Sequence, residues 1–175
     1  MNLKEEKSLI AYFSHAGNNY IGGKIVNLPI GNTEVLANMI QEITGADLVH
    51  IDPLNPYPED YTETIEVAQK ELQEDARPEI SNHVENMDDY GVIFLGYPNW
   101  WGTMPLPVFT FLEEYDFSGK TIIPFCTHEG SGLGHSAKDI AKLCPKATIL
   151  DGLALHGARV SDAKNNLTNW LSKLG

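Results

Sequence analysis

The sequence predicts an α/β fold built around a parallel sheet of five strands. Short apolar runs alternate with longer segments in which apolar residues recur at helical spacing, and such alternation is typical of βαβ units. The runs are almost continuously hydrophobic, as expected for strands that helices cover on both faces. A chain of 175 residues is large enough to bury one sizeable core. We therefore expect a single domain over residues 1–175.

Five apolar runs are predicted strands, and two helices are predicted between the first three of them. The strands are Ser8–Phe13, Asp47–Ile51, Gly91–Gly96, Thr121–Cys126 and Ala147–Leu150. The first helical stripe begins near Asn32 or Thr33 and ends at Gly45, a residue type that commonly follows a helix. A second helix is expected from about Glu59 to Gln73, and an irregular polar connection follows it over residues 77–89.

Three further helices are predicted in the second half of the chain. Pro105 fits the first turn of the third helix. Ser136 and Asp139 have the spacing of a capping box for a fourth helix, which ends before Pro145. Ser161 is suited to cap the last helix. The face of this last helix that is expected to pack on the sheet comprises Ala163, Leu167, Trp170, Leu171 and Leu174.

The charge of the chain limits the partners that it can bind. Asp and Glu number 24 and Lys and Arg number 12, which gives a formal net charge of −12. This charge repels nucleic acid and anionic membrane lipids and favours redox partner proteins with basic faces. The N-terminal residues include no apolar stretch long enough for a membrane span or a secretion signal, so a cytoplasmic location is expected. No feature of the sequence indicates an oligomeric state.

The cysteine and histidine residues do not predict a metal site. Cys126 and Cys144 lie in neither a C-x-x-C motif nor a metal-ligand spacing, and we expect them to be buried packing thiols. His128 and His135 have only Glu129 as a neighbouring carboxylate.

Three loops at the carboxyl ends of predicted strands contain candidate binding residues, because ligands of open α/β sheets bind beyond this edge. The loop after the first strand is rich in hydroxyl, amide and glycine groups and leads into a helix N-terminus, which favours an anion such as phosphate. An ordinary turn with a helix cap is the alternative, and the absence of G-x-G-x-x-G argues against a Rossmann nicotinamide site. The candidates are Ser14, His15, Ala16, Gly17 and Asn18, with Asn32 and Thr33 at the start of the helix.

The loop after the third strand contains two adjacent tryptophans. Its candidate residues are Tyr97, Pro98, Asn99, Trp100, Trp101, Gly102 and Thr103. So much aromatic area in a turn is explained by a flat, amphipathic ligand ring, on which one indole or Tyr97 can stack. Gly102 permits peptide orientations that other residues resist. The alternative is that both tryptophans belong to the core or to a partner interface.

The loop after the fourth strand is rich in glycine. Its candidate residues are Thr127, His128, Glu129, Gly130, Ser131 and Gly132. Glycines let the chain pass close to the plane of a ligand, and the backbone amides there can bind the carbonyl groups of that ligand.

Two motifs at these loops point to a known family. Residues 12–18 match the pattern Y-F-S-x-x-G-N, and residues 96–102 match G-Y-P-x-W-W-G. With both motifs in this order, the chain resembles the flavodoxins, specifically the short bacterial flavodoxin-like proteins. The resemblance implies a flavodoxin-like three-layer sandwich with a five-stranded parallel sheet of order 2-1-3-4-5. It also implies one bound FMN, whose phosphate is held by the first loop and whose ring lies between the other two loops.

The resemblance also assigns roles to residues. Residues 98–103 match the ring-binding segment, and residues 127–132 border the far edge of the ring. The compact T-x-T-G-x-T loop of the family is interrupted here by residues 19–31, so more than one glycine is a candidate for the phosphate cradle. Gly22 and Gly23 are expected to form the turn of a small hairpin, which lies over the cofactor or serves a partner. The residues that match the phosphate loop are Ser14, Ala16, Gly17, Asn18, Asn32 and Thr33.

Three functions are compatible with these residues. The first is an electron carrier in which the negative surround makes reduced FMN a strong donor to basic-faced partners such as a flavodoxin reductase. The second is an FMN-dependent NAD(P)H reductase of quinones or nitro compounds, which needs an open ring face. The third, a cofactor-free interaction module of the receiver type, needs acidic residues after the first strand and an Asp after the third. This chain has Ser14-His15 and Tyr97-Pro98 in those places.

Overall fold

Six strands form a parallel sheet and two form a separate hairpin in the computed structural model, which describes residues 5–174. The strands in this part of the chain are β1 (Ser8–Tyr12), β2 (Gly17–Ile21), β3 (Lys24–Leu28), β4 (Asp47–His50), β5 (Val92–Pro98), β6 (Thr121–His128), β7 (Thr148–Ile149) and β8 (Leu153–His156). The α-helices are α1 (Asn32–Thr44), α2 (Tyr61–Gln73), α3 (Leu106–Glu114), α4 (Ser136–Leu143) and α5 (Lys164–Leu174).

The sheet has the predicted strand order. Its strands follow the order β4-β1-β5-β6-β7, and β8 also pairs with β6. Because β2 and β3 belong to the hairpin, this order is the expected 2-1-3-4-5. Every pair in the sheet is parallel, with Tyr12 opposite Gly96 and Gly96 opposite Phe125. The carboxyl ends of the strands therefore lie at one edge, where an open α/β sheet binds ligands.

The edge of the sheet next to β6 differs from the prediction, which placed one strand, Ala147–Leu150, there. The structure has two short strands there: β7 pairs with the start of β6, and β8 pairs with its end. Gly152 lies between them, and a Cβ atom at this residue would be 2.9 Å from the carbonyl oxygen of Pro124. The backbone passes too close to β6 here for an ordinary strand residue. The second short strand brings His156 to the same edge as the other strand ends.

Helices cover both faces of the sheet, as predicted. One core lies between the sheet and helices α1 and α5, and it includes Leu36 and Leu167. The other core lies under α3 and α4 and includes Leu112 and Ile140. The predicted apolar face of α5 packs in the first of these cores. The longest helices, α1 and α2, have 13 residues each. Within residues 5–174, no helix has the length and apolar character needed to cross a membrane.

Both cysteines are buried, which confirms their prediction as packing thiols. Burial raises the pKa of the Cys126 thiol to about 12 and that of the Cys144 thiol to about 11. Both groups are therefore protonated and unreactive near neutral pH.

The structure confirms the bounds predicted for α1 but not two predicted helix caps. Helix α1 ends at Gly45, which adopts a left-handed conformation with φ 73°. Ser136 lies inside the first turn of α4, and its hydroxyl group donates to the carbonyl oxygen of Leu133 (2.6 Å) instead of capping a helix amide. The capping-box partner, Asp139, accepts a hydrogen bond from another loop. Ser161 lies in a 3₁₀ turn, and α5 begins three residues after it.

Variants at the contact between Gly96 on β5 and Phe125 on β6 test how closely these two strands pack. A Cβ atom at Gly96 would lie 2.1 Å from the ring of Phe125, so we expect Gly96→Ala to lower the free energy of unfolding by about 1–3 kcal/mol. Adding Phe125→Leu should recover part of this loss, because the smaller side chain vacates the space. Urea denaturation of the two single variants and the double variant measures this coupling. Strictly additive losses would contradict the steric explanation.

Candidate functional site

A cavity of about 320 Å³ opens at the carboxyl edge of the sheet. Its walls come from the loops after β1, β5 and β6, from the hairpin, and from one face of α2. All three loops that the sequence singled out therefore meet at one site. The predicted residues that line it are Ser14, His15, Asn18, Asn32, Thr33, Pro98, Asn99, Trp100, Trp101, Thr127, His128, Glu129 and Ser131.

Gly31 is the last residue of the loop that precedes α1. It directly precedes the helix, and a Cβ atom there would lie 2.2 Å from Ser14 Oγ and 2.7 Å from the carbonyl oxygen of His15. The Ser14 hydroxyl oxygen accepts a hydrogen bond from the Glu34 amide (3.1 Å) and so joins the end of β1 to the first turn of α1. Of the glycines that flank the insertion, Gly31 is thus the one that allows the backbone to approach this closely.

The first turn of α1 presents backbone donors at the cavity. Among the described residues, the amides of Asn32 and Thr33 have no hydrogen-bond acceptor. The Thr33 hydroxyl is buried and lies 2.9 Å from the Thr127 hydroxyl at the end of β6. Free amides at a helix N-terminus carry partial positive charge and bind anions without a basic side chain. We call this first turn, with Ser14 and Gly31, the phosphate cradle, after the anion that the sequence predicts there.

The insertion within the first loop forms a hairpin, as predicted. Strands β2 and β3 pair in antiparallel register, and Gly22 and Gly23 form the turn with φ 59° and 85°. Asn18, which precedes this turn, lines the cavity. The amide of Gly22 donates to a carboxylate oxygen of Glu129 (3.0 Å), a residue of the loop after β6. The hairpin therefore spans the cavity mouth from one binding loop to another.

A second contact holds the hairpin against helix α2. The rings of Tyr20 and Tyr61 lie 6.0 Å apart, and the amide of Asn18 donates to the carbonyl oxygen of Glu59 (3.3 Å). Both tyrosines line the cavity. The hairpin is otherwise largely exposed, and Ile25 on its outer strand is 56% exposed.

The two adjacent tryptophans occupy different positions in the cavity wall. Trp100 packs edge-on against Phe13 and Tyr57, with ring centroids 5.1 Å away in each case. Trp101 is 49% exposed, has a left-handed backbone with φ 57°, and donates its indole N–H to the carbonyl oxygen of Ile65 (3.0 Å). One indole is therefore part of the inner wall, and the other is held against α2 at the mouth.

Asn99 connects the two loops that the resemblance to the flavodoxins places beside the FMN ring. Its side-chain oxygen accepts from the Gly102 amide (2.9 Å), and its side-chain nitrogen donates to the carbonyl oxygen of Gly132 (2.8 Å). Its own amide donates to the carbonyl oxygen of Thr127 (2.8 Å). Gly102 and Gly132 thus shape the site through their backbone without lining the cavity.

Tyr97 is not a stacking residue, which corrects the prediction for its side chain. It is fully buried, and its hydroxyl group donates to Ser136 Oγ (2.8 Å). The prediction was wrong because β5 continues to Pro98 instead of ending at Gly96. The Tyr97 side chain therefore follows the strand alternation and packs beneath α4. The predicted residues that do not line the cavity are Ala16, Gly17, Tyr97, Gly102, Thr103, Gly130 and Gly132.

Sequence reasoning missed the wall formed by α2. Four of its residues line the cavity at the spacing of one helix face, and this spacing was visible in the sequence. The same spacing is typical of a helix face that packs on a sheet, so by itself it did not indicate a cavity wall. The missed residues are Asn19, Tyr20, Tyr61, Thr64, Ile65, Ala68 and Gly157.

The described cavity lining contains two histidines but no Lys or Arg, and Glu129 is its one carboxylate. Burial lowers the pKa of His128, and the neighbouring His156 lowers it further, while Glu129 acts in the opposite direction. The two imidazole rings lie 4.6 Å apart. Burial also lowers the pKa of His15. Within residues 5–174, no cluster of three or more His, Cys, Asp or Glu side chains is placed to hold a metal ion.

A family model places the chain among known proteins. The flavodoxin model matches residues 7–174. The chain belongs to the flavodoxin family. Among curated proteins, no sequence matches the chain significantly.

Solved structures of flavoproteins resemble this flavodoxin family member over nearly its whole length. A flavoprotein from Bacteroides eggerthii is 29% identical, with a TM-score of 0.70 over 94% of this chain and 99% of that chain. One from Bacteroides uniformis is 25% identical, with a TM-score of 0.73 over 95% of this chain and 98% of that chain. A flavoprotein from Lactobacillus acidophilus, solved in complex with FMN, shares the fold at 20% identity, with a TM-score of 0.65 over 90% and 97% of the respective chains.

Gly31 provides a test of the phosphate cradle. Because a Cβ atom would collide with Ser14 and with the His15 carbonyl group, we expect Gly31→Ala to weaken binding of FMN, the cofactor that the resemblance implies, by about tenfold or more. The matched control is Gly45→Ala, at the other end of α1, where a Cβ atom meets nothing within 4 Å. Because Gly45 has a left-handed φ, alanine at this position should lower the stability of the fold, but it should not change the cavity. Fluorescence titration measures both affinities, and equal losses would contradict the role of Gly31.

The Gly22–Glu129 contact provides a test of the hairpin. Glu129→Ala removes the acceptor of the Gly22 amide, and we expect FMN to dissociate about three- to tenfold faster, because an exposed hydrogen bond to a carboxylate is lost. Glu129→Gln keeps an acceptor oxygen and should stay within about twofold of the wild-type rate. Stopped-flow fluorescence measures dissociation. If both variants slow dissociation, the carboxylate acts by repelling the phosphate instead of by holding the hairpin.

Proposed function

We propose that the chain binds one FMN in this cavity and carries electrons between protein partners. The phosphate cradle suits a phosphate group, since the Asn32 and Thr33 amides and the Ser14 hydroxyl group converge there without a cation. Trp100 and Trp101 offer the aromatic wall that a flat ring requires. The residues present therefore fit FMN.

The protein residues of the site position the cofactor and restrict access to it. Bound FMN would supply the redox chemistry, taking up and releasing electrons. The Trp101 indole, held by its hydrogen bond to α2, limits approach to the ring through the mouth. The network around Asn99 fixes the two loops that border the ring. These hydrogen bonds restrain the loops around the ring, which suits electron transfer without movement of the cofactor.

The absence of Lys and Arg from the described cavity lining is the observation that carries the proposal of an electron carrier. A pyridine nucleotide that donates hydride directly must bring its own diphosphate close to the ring, and such anions are usually bound by Arg or Lys. The cavity mouth instead has the carboxylate of Glu129. This arrangement disfavours direct reduction by NADH or NADPH and favours electron delivery by another protein.

The surface around the mouth supports a partner with a basic face. The first two turns of α2 lie beside the cavity, and acidic residues around them are exposed. They add to a chain whose formal net charge is −12. Opposite charges on a partner would speed its association, and added salt would slow it. The exposed acidic residues are Glu59, Asp60, Glu63 and Glu66.

Steady-state assays with the FMN-loaded protein test this proposal. With NADPH or NADH and a soluble quinone but no other protein, we expect no turnover above that of free FMN. With NADPH, a flavodoxin reductase and cytochrome c, we expect cytochrome reduction that depends on the chain and falls as salt rises. Turnover in the first assay would establish an NAD(P)H reductase instead of a carrier.

Charge reversal on α2 tests the docking surface. We expect the double variant Glu63→Lys/Glu66→Lys to lower the reductase-dependent rate about three- to tenfold at low salt, with little difference at high salt. The matched control is Glu42→Lys/Asp88→Lys, which gives the same change in net charge at two exposed residues that do not line the cavity. An equal loss in the control would show an effect of net charge alone.

A further inference from the structure

His15 has a polar atom that no other residue satisfies. Its Nε2 atom is shielded from solvent and has no hydrogen-bond partner among the described residues. The residue lines the cavity. Buried polar atoms without partners are rare in folded proteins because each costs free energy. Because solvent does not reach this atom, a ligand in the cavity can become its partner only if the imidazole ring turns toward the cavity.

The position of His15 places it at the phosphate cradle. It follows Ser14, and its carbonyl group lies against Gly31 at the start of α1. Its ring packs edge-on against Trp100, with centroids 5.7 Å apart and an interplanar angle of 75°. The side-chain amide of Asn19 donates to its carbonyl oxygen (2.9 Å). The backbone of His15 is therefore held at the cradle, whereas its ring has an edge-on aromatic contact and, within the described part of the chain, no hydrogen bond on Nε2 that opposes a turn toward the cavity.

No charged neighbour controls the protonation of His15. Its pKa is lowered by burial, with no contribution from another ionisable group. The other titratable side chains that line the cavity are Tyr20, Tyr61, His128 and Glu129. In the free protein, His15 is thus a neutral imidazole near pH 7, and the arrival of an anion is the event that would change this.

We propose that His15 donates its Nε2–H to the phosphate of FMN and takes up a proton when the phosphate dianion binds. This inference rests on the proposed FMN site and adds to it a residue that distinguishes FMN from riboflavin, which lacks the phosphate. His15 supplies the one positive charge that the cavity otherwise lacks, and it does so only when the anion is present.

The sign of the pH dependence follows from the two states of His15. The phosphate raises the pKa of the imidazole above its lowered value in the free protein. FMN affinity is therefore weakest above the pKa of the complex and increases as the pH falls toward the pKa of the free protein. Below about pH 6 the phosphate itself gains a proton, and the affinity levels off or declines. The gain should lie between about pH 8.5 and pH 6.5.

Binding titrations with two ligands test this inference. Tryptophan fluorescence gives the Kd of FMN and of riboflavin at several pH values, and calorimetry in two buffers of different ionisation enthalpy gives the protons taken up. For the wild type we expect FMN affinity to increase about three- to tenfold from pH 8.5 to pH 6.5, with net proton uptake at neutral pH. Riboflavin affinity should stay constant.

Two variants separate His15 from a histidine outside the cavity. His15→Gln keeps a hydrogen-bond donor but cannot titrate, so it should lose the pH dependence and the proton uptake while still binding FMN. His83→Gln changes an exposed histidine that does not line the cavity, and it should keep both signals. Circular dichroism and thermal melting verify that each variant is folded.

The outcomes distinguish this inference from the proposed function. Equal pH dependence for FMN and riboflavin, or pH dependence that persists in His15→Gln, would overturn the role of His15 and leave the FMN site intact. Failure of both ligands to bind the wild type at every pH would overturn both proposals.

Discussion

The close approach of Gly31 to the end of β1 is the contact on which the site depends. It brings the first turn of α1 next to Ser14 and His15, although the hairpin separates these residues in the sequence. A side chain at Gly31 would push α1 away from β1. It would thereby separate the Asn32 and Thr33 amides from the Ser14 hydroxyl group. The cavity floor, the base of the hairpin and the packing of α1 on the sheet all follow from this contact.

The proposed phosphate site uses backbone and neutral groups where many anion sites use Lys or Arg side chains. Helix amides carry fixed partial charges that cost little to orient, because folding has already oriented them. A Lys or Arg in their place would offset the negative surface of the protein and attract unwanted anions. Burial lowers the pKa of His15, and in our proposal a bound anion raises it again. The protein can therefore keep both an anion site and a strongly negative exterior.

The alternation of apolar runs predicted a parallel sheet, and a general property of parallel sheets predicted the meeting of the three loops. The strand order came from the resemblance to the flavodoxins, because hydrophobicity does not show which strands are neighbours. The sequence did not predict where β5 ends, and this error assigned Tyr97 to the cavity. Apolar and aromatic residues continue smoothly through the strand end, so hydrophobicity alone gives no boundary there. The split of the last strand at Gly152 was missed for a related reason: it arises from close contact with Pro124, which only the tertiary structure shows. The wall from α2 likewise depends on how the helix sits on the sheet.

In the loop after β1, the residues at the base of the hairpin and the strands of the hairpin have different roles. The phosphate cradle is formed by residues at the base, whereas the strands of the hairpin project over the mouth. Lengthening or shortening a loop with a rigid base costs little conformational entropy. The hairpin is thus a module that evolution can exchange without disturbing the cradle, and proteins with one and the same cofactor site can differ in the molecules admitted to it.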